Sequence, residues 1–250
     1  MIVGVILAAG KGTRMNSSEV NKTSLLFNGK PLVQYGIDLY KGVVDKTVIV
    51  VGSFAESVKA VVHEPEVMFV DQIDMLGTGD AVRVAVEEIA RRDLHPQSVL
   101  VGYGDHMMFY SQNTVKRLVE EQQNRHAALS LVTSDYDRTD EMRFGRIVRD
   151  EAGFVKAIVE HKDASADERK ITEFNPGLYC FDFDFLAQNI MRLKNSPSSG
   201  EFYLTDLVSD AVKLGMKVVP LHVPFSEIGL GVNTTQELSE SQKLYQQNHS

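Results

Sequence analysis

Alternation of short apolar runs with helix-period segments predicts an α/β fold: a doubly wound, mostly parallel sheet, with a β-rich lobe formed by the second half of the chain. Three observations carry this expectation. Val3 to Ala8 is apolar without period-two alternation, the pattern of a parallel strand covered on both faces. β-Branched runs recur at residues 46–51, 67–70 and 98–103, separated by segments with apolar residues at helical spacing. Gly10-Lys11-Gly12 and Tyr103-Gly104-Asp105 fall at the carboxyl ends of two such strands, where open α/β sheets bind ligands.

Taken in order, the opening apolar residues lack the basic flank of a signal peptide and run straight into a glycine turn, so they read as a buried strand. Pro31 opens a helix over residues 32–41, since a proline in the first turn gives up only an N–H that lacks an intrahelical partner. Lys46 to Val51 forms the second strand, ended by Gly52, and Ser53 stands as the N-cap of a helix over 54–62. Strand 67–70 follows, then a helix over 80–92 with Ala81, Val84, Ala85 and Ile89 on one stripe. Strand 98–103, helix 113–124 and strand 127–133 complete the first half. Residues 146–149 and 154–159 flank Asp150-Glu151-Ala152-Gly153 as a hairpin. Strand 178–181, helix 183–193, a turn-rich loop at 195–200, helix 202–214, strand 217–223 and a polar helix over 235–246 follow. No repeat or linker divides the chain, so residues 1–250 read as one domain, with 1–135 as one half and 136–250 as the other.

Composition narrows the function classes. Apolar residues make up 43% and charged residues 24%, as in ordinary globular proteins. The formal charge of −8 argues against a nucleic-acid footprint or an anionic membrane surface, both of which need clustered Lys and Arg. A few local cations still suffice for a phosphorylated substrate. Cys180 is the single cysteine, which excludes an internal disulfide and a thiolate cluster and fits a reducing cytoplasm. No apolar run approaches the roughly 18 residues that suggest a membrane span.

The first glycine turn carries the strongest chemical signal. In Leu7-Ala8-Ala9-Gly10-Lys11-Gly12-Thr13-Arg14-Met15, glycines one residue apart permit positive φ and a close backbone approach to a ligand. Successive N–H groups can cradle phosphate oxygens, while Lys11 and Arg14 add charge, the arginine with bidentate geometry. A tight strand-to-helix turn with surface cations would explain G-x-G alone, but the full string specifies more. It is neither the dinucleotide fingerprint, since no third glycine follows, nor a P-loop, since no Gly-Lys-Ser/Thr follows. Asp105 ends a strand at the same sheet edge. A lone carboxylate suits Mg²⁺, a hard ion held by one or two protein oxygens plus substrate phosphates; the alternative is a turn or cap residue.

At this string the sequence resembles the sugar-1-phosphate nucleotidyltransferases, whose fold is Rossmann-like. More narrowly, it is similar to the uridyltransferase domain of bacterial N-acetylglucosamine-1-phosphate uridyltransferases. The matches run in order along nearly the whole chain: Lys22, Gly29-Lys30-Pro31-Leu32, Gln72, Leu76-Gly77-Thr78-Gly79, Tyr103-Gly104-Asp105, Phe144-Gly145-Arg146-Ile147, Val159 to Ala164, Asn175-Pro176-Gly177, Gly200 to Asp206 and Gly231-Val232-Asn233.

The resemblance implies a reaction: UTP and N-acetylglucosamine-1-phosphate give UDP-N-acetylglucosamine and pyrophosphate, with Mg²⁺ held by Asp105 and Asn233. Arg14 and Lys22 become the catalytic cations. Leu7, Ala8, Ala9, Gly10, Lys11, Gly12, Thr13, Gln72, Gly77, Thr78, Tyr103 and Gly104 become the nucleotide site, with Gln72 and Gly77-Thr78 reading the base. An amide suits that task because it both donates and accepts at a uracil edge. Gly145, Glu160, Asn175, Tyr203 and Thr205 fall on the sugar side. Read without the family, Asn233 and Thr78 or Asp80 are helix N-caps, Lys22 a solvated lysine and Glu160 an exposed strand residue.

The chain departs from the family at several points. Asn21 replaces a usual Pro in a loop one residue longer, Asp80 stands where His or Ala is frequent, and Pro176 replaces Thr. Tyr103 to Met108 lacks the Pro found two residues after the family's Asp. The competing readings are the same chemistry with dTTP, CTP or GTP or another sugar phosphate, and a non-catalytic nucleotide-sugar-binding module. The hexapeptide repeats of the bifunctional relatives are absent up to Ser250, so acetyltransfer and its trimer are not expected. The sequence does not fix the oligomeric state.

Overall fold

The protein, described by a computed structural model over residues 1–10, 12, 20–139 and 143–248, is organised around one large mixed sheet. β1 (Ile2–Ala8) leads, past a small hairpin of β2 (Leu26–Phe27) and β3 (Lys30–Pro31), into α1 (Leu32–Tyr40) and β4 (Lys46–Val51). α2 (Ala55–Lys59), β5 (Met68–Asp71), α3 (Thr78–Arg91) and β6 (Ser98–Tyr103) follow. α4 (Gln112–Asn124) and β7 (Leu129–Asp135) lead to the hairpin β8 (Gly145–Arg149) and β9 (Val155–Val159). The chain then forms β10 (Glu173–Asn175), β11 (Leu178–Asp182), α5 (Phe183–Ile190), α6 (Asp206–Lys213), β12 (Val218–His222) and α7 (Thr235–Asn248).

The order across the sheet is β5-β4-β1-β6-β11-β7-β10-β8-β9, with β12 parallel to β7. β5, β4, β1 and β6 are parallel, and β11 runs antiparallel between β6 and β7. The chain moves outward from β1 to β5 on one side, then crosses to β6 on the other. The ends of β1 and β6 therefore form a topological switch point, the position at which such sheets bind ligands. β7 belongs to both parts of the sheet: Leu129 to Leu131 pair with β11, while Ser134 and Asp135 pair with β10.

Burial on both faces explains the unalternating apolar strands. Val3, Val5, Val48 and Val50 face one core layer under α3, α5 and α6. Ile6, Ala8, Ile49 and Val51 face the opposite layer under α1 and α4. A third cluster docks α7: Leu238, Leu244 and Tyr245 pack on Phe27, Leu32, Tyr35, Phe109 and Val232. Tyr245 meets the rings of Phe27 and Phe109 edge-on, each at 5.4 Å.

Several expected elements differ. Residues 202–205 are not helical, because Phe202 N–H donates to Leu76 O at 2.7 Å and Gly79 N–H to Phe202 O at 2.8 Å, tying this stretch to the start of α3. Ser53 does not cap α2. Phe54 is the N-cap in a left-handed conformation without a side-chain bond, and Ser53 Oγ instead meets Met75 Sδ at 3.1 Å. The strand expected at 127–133 is shifted to Leu129–Asp135, and β10 was not anticipated. Its short Glu173-Phe174-Asn175 is too brief to show a period.

Candidate active site

Two adjoining cavities open at the switch point. One, of about 450 Å³, is lined by Leu7, Ala8, Ala9, Gly10, Lys22, Gln72, Gly77, Thr78, Tyr103 and Asp105 among others. The larger, of about 970 Å³, lies toward the hairpin lobe and is lined by Gly145, Glu160, Asn175, Tyr203 and Asn233 among others. Thr78, Tyr103, Asp105 and Glu201 border both cavities. A ligand with a base at one end and a sugar at the other would pass Asp105 in the middle.

Sheet register brings the two glycine turns together. Leu7 pairs with Tyr103, and Gly104 N–H donates to Leu7 O at 3.0 Å. Gly104 thus joins the strands rather than lining a cavity, since a Cβ there would lie 3.0 Å from Leu7 O. Of the two glycines in the first turn, only Gly12 adopts a positive φ, of 58°. Gly12 backs onto Lys22, whose Cβ would lie 3.5 Å from an added methyl. Lys11, Thr13 and Arg14 lie outside the described residues.

The Lys22 ammonium binds the two residues expected to hold a metal. It forms an ion pair with Asp105 and donates to Asn233 Oδ1 at 3.1 Å. Burial pushes the Asp105 pKa up, but Lys22 outweighs this and holds the group below its ordinary value. Asn233 is free for this contact because its neighbour caps α7. Thr234 Oγ1 accepts from Glu237 N–H at 3.1 Å, and Glu237 accepts from Thr234 N–H at 3.0 Å, a capping box. The cap reading of Asn233 therefore belongs to Thr234.

At the smaller cavity, Gln72 is buried and spends its amide nitrogen inward, donating to Gly77 O at 2.9 Å and Asp80 Oδ2 at 2.7 Å. Thr78 Oγ1 accepts from Leu204 N–H at 3.1 Å and caps nothing. Gly77 has φ 105°, and a Cβ there would lie 2.6 Å from Phe202 O. The glycine is required by the 202 segment packed behind it, a constraint separate from room for a base ring.

At the larger cavity, Thr205 donates to Glu160 Oε1 at 2.8 Å from a buried position and does not line the wall. It supports Glu160 instead of facing a ligand. Glu160 is not the exposed strand residue of the bland reading. Burial pushes its pKa up; the Thr205 hydroxyl opposes this, and Asp206, Asp163 and Glu201 add to it. Asn175 donates to Tyr179 Oη at 2.6 Å and accepts from Gly177 N–H at 3.2 Å. Gly145 leaves space for Ile158 and Glu160, because a Cβ would lie 2.7 Å from Ile158 Cγ2. Tyr203 Oη pairs with Ser199 Oγ at 2.7 Å.

Two residues hold the segments of the site together in a way that sequence reasoning did not assign to them. Asn21 is buried and knots three loops: Nδ2 donates to Ser53 O at 2.8 Å and Gly10 O at 3.2 Å, while Oδ1 accepts from Thr23 N–H at 2.9 Å. The signal was present, since Asn before a short turn commonly bonds the backbone two residues on. Buried His106 stacks on Phe144 at 5.2 Å and faces the carbonyls of Pro176 and Gly229 at 3.0 and 3.2 Å. It joins the segments that carry Asp105, Asn175 and Asn233.

Comparison with known proteins agrees with this architecture. The chain is 40% identical over 245 residues to the Bifunctional protein GlmU of Burkholderia orbicola (strain AU 1054), covering 98% of this chain and 52% of that protein. It is 36% identical over 245 residues to the Bifunctional protein GlmU of Geotalea uraniireducens (strain Rf4), covering 97% and 52%. The chain thus spans about half the length of these relatives. A crystal structure of apo-UDP-glucose pyrophosphorylase superposes with a TM-score of 0.80 over the whole of both chains at 16% identity, a likeness of fold. Residues 4–174 match the MobA-like NTP transferase domain, and the chain belongs to that family.

Proposed function

We propose that this chain is a sugar-1-phosphate nucleotidyltransferase that joins UTP to N-acetylglucosamine-1-phosphate, releasing pyrophosphate. The observation that carries the reading is the meeting of Lys22, Asp105 and Asn233 at the border of the two cavities. In this reading residues 1–135 handle the nucleotide and 136–250 the sugar, in a cytoplasmic setting. No helix among the described residues is long and apolar enough to cross a membrane.

The sugar phosphate oxygen attacks the α-phosphorus in line as pyrophosphate leaves. Such a transfer needs alignment and neutralised charge more than a covalent intermediate. The attacking phosphate is already anionic, so no histidine is assigned as a base. The Gly10 turn holds the phosphates, with Lys11 and Arg14 as cations, and Glu160 and Asn175 hold the sugar. Asp105 and Asn233 suit Mg²⁺, because their oxygens already converge on one cation, the Lys22 ammonium. When bound there, the ion would screen the triphosphate charge. Lys22, beside that position, would contact phosphate.

The test is pyrophosphate release by the purified protein with Mg²⁺, UTP and N-acetylglucosamine-1-phosphate, beside a panel of dTTP, CTP, GTP and other sugar phosphates. Release with UTP above the others supports the reading. Release with another pair alone keeps the chemistry and replaces the substrates, and release with none overturns it in favour of a binding module.

A further inference from the structure

Asp80 is almost fully buried in the first turn of α3 and does not line either cavity. Its carboxylate accepts from Gln72 Nε2 at 2.7 Å and is held from behind by Arg83. Leu76 N–H lies 3.4 Å from the same oxygen that Gln72 meets. Burial pushes the Asp80 pKa up, but Arg83, Gln72 and Leu76 together hold it below its ordinary value, so an anion faces Gln72 at neutral pH.

A glutamine amide has two faces, a donor –NH₂ and an acceptor C=O, and a ring of polar neighbours decides which way it points. Both neighbours of this amide are acceptors without a proton to give: the Gly77 carbonyl at 2.9 Å and the Asp80 carboxylate at 2.7 Å. Turning the amide over would set Oε1 against a carbonyl and an anion at once. Two bonds would become two repulsions, inside a site where few waters can compensate. The –NH₂ is therefore consumed on the protein side, and the carbonyl is what remains for the nucleotide cavity that Gln72 lines.

We propose that Asp80 is a specificity-determining positioning residue that locks Gln72 with its acceptor toward the base. The base class this favours carries a ring N–H at that edge, as uracil and thymine do. Cytosine presents an unprotonated ring nitrogen at the corresponding position, which would meet the Gln72 oxygen acceptor to acceptor. The inference rests on the functional reading above and deepens it. Gln72 touches the base, and Asp80 acts through Gln72.

The experiment measures equilibrium binding of UTP and of CTP by titration calorimetry, which needs no sugar phosphate, with Tm recorded for each variant. Asp80→Ala removes the lock. Asp80→Ser keeps a polar side chain that both donates and accepts, so it imposes no orientation, and it serves if the alanine variant does not fold. The UTP-over-CTP preference should fall by about tenfold in either, one charge-assisted hydrogen bond exchanged for a repulsion. In a Gln72→Ala background the same Asp80 substitutions should not change the preference further, a result a merely structural role would not give. An unchanged preference in the folded variants overturns the inference alone, as does an equal drop without Gln72. A wild-type protein that binds CTP as tightly as UTP overturns the inference and the choice of UTP together. Pyrophosphate release with neither UTP nor any other triphosphate overturns the transferase reading and leaves the binding preference to judge Asp80.

Discussion

Lys22 donates to Asn233, 211 residues further along the chain, across 3.1 Å, with Asp105 on its other side. One side chain from the first loop thus occupies the point where two residues of later segments converge. A lysine held between oxygens is a fixed positive charge, and its removal leaves a half-buried carboxylate without its partner. Lys22→Met should therefore give the nucleotide-free protein a Tm that rises by a few degrees on adding Mg²⁺, as the ion replaces the ammonium. The wild-type Tm should respond less. Equal responses in a magnesium titration followed by thermal melting would show that lysine and metal do not compete.

Asp105→Ala should lower turnover by roughly a thousandfold, the scale of losing several kcal/mol of charge stabilisation in a phosphoryl transfer. Asn233→Ala should follow it in direction with a smaller loss, since a neutral amide contributes less than a carboxylate. Steady-state pyrophosphate release measures both. Near-normal rates for Asp105→Ala would remove that residue from the chemistry.

Asn21→Ala breaks bonds to Gly10 O, Ser53 O and Thr23 N–H at a buried position. The cost should be about 2–3 kcal/mol, because several backbone groups are left unpaired at once. Urea unfolding reads the loss. Asn21→Pro should cost at least as much, since it also deletes the N–H that donates to Ser57 Oγ at 2.8 Å.

Glu160 predicts a pH effect of definite sign. Its pKa is raised in the fold by burial, so its favourable contribution is present below the ordinary carboxylate value and fades as pH climbs through the raised one. Glu160→Gln should consequently gain Tm relative to wild type at pH 8 and show no gain at pH 4. The same variant should weaken binding of the sugar phosphate. A Tm difference that grows toward low pH would contradict the assignment.

The first half of the fold was legible because its strands are buried on both faces, leaving runs such as Val48-Ile49-Val50-Val51 that nothing else explains. Helix ends were less legible where tertiary bonds decide them. Phe202 has a helical neighbourhood in sequence, yet its backbone is captured by Leu76 and Gly79. The residues singled out for the site were similarly divided. Lys22, Asp105 and Asn233 converge as the motifs suggested, whereas Thr205 and Gly104 stand behind the cavity walls. Residue type reveals what a side chain can bind, but whether it faces a ligand or supports one that does depends on neighbours brought from elsewhere in the chain. Asn21 and His106 were hard to find for that reason: each bonds segments far from it in sequence.

The docking of α7 on Phe27, Tyr35 and Phe109 also sets an order of events during synthesis. Asn233 emerges from the ribosome long after Lys22 and Asp105, on the segment that leads into this helix. A chain that has not yet reached Asn233 carries Lys22 and Asp105 without the third member of the cluster. In the function proposed above, activity would then report that the closing helix is in place.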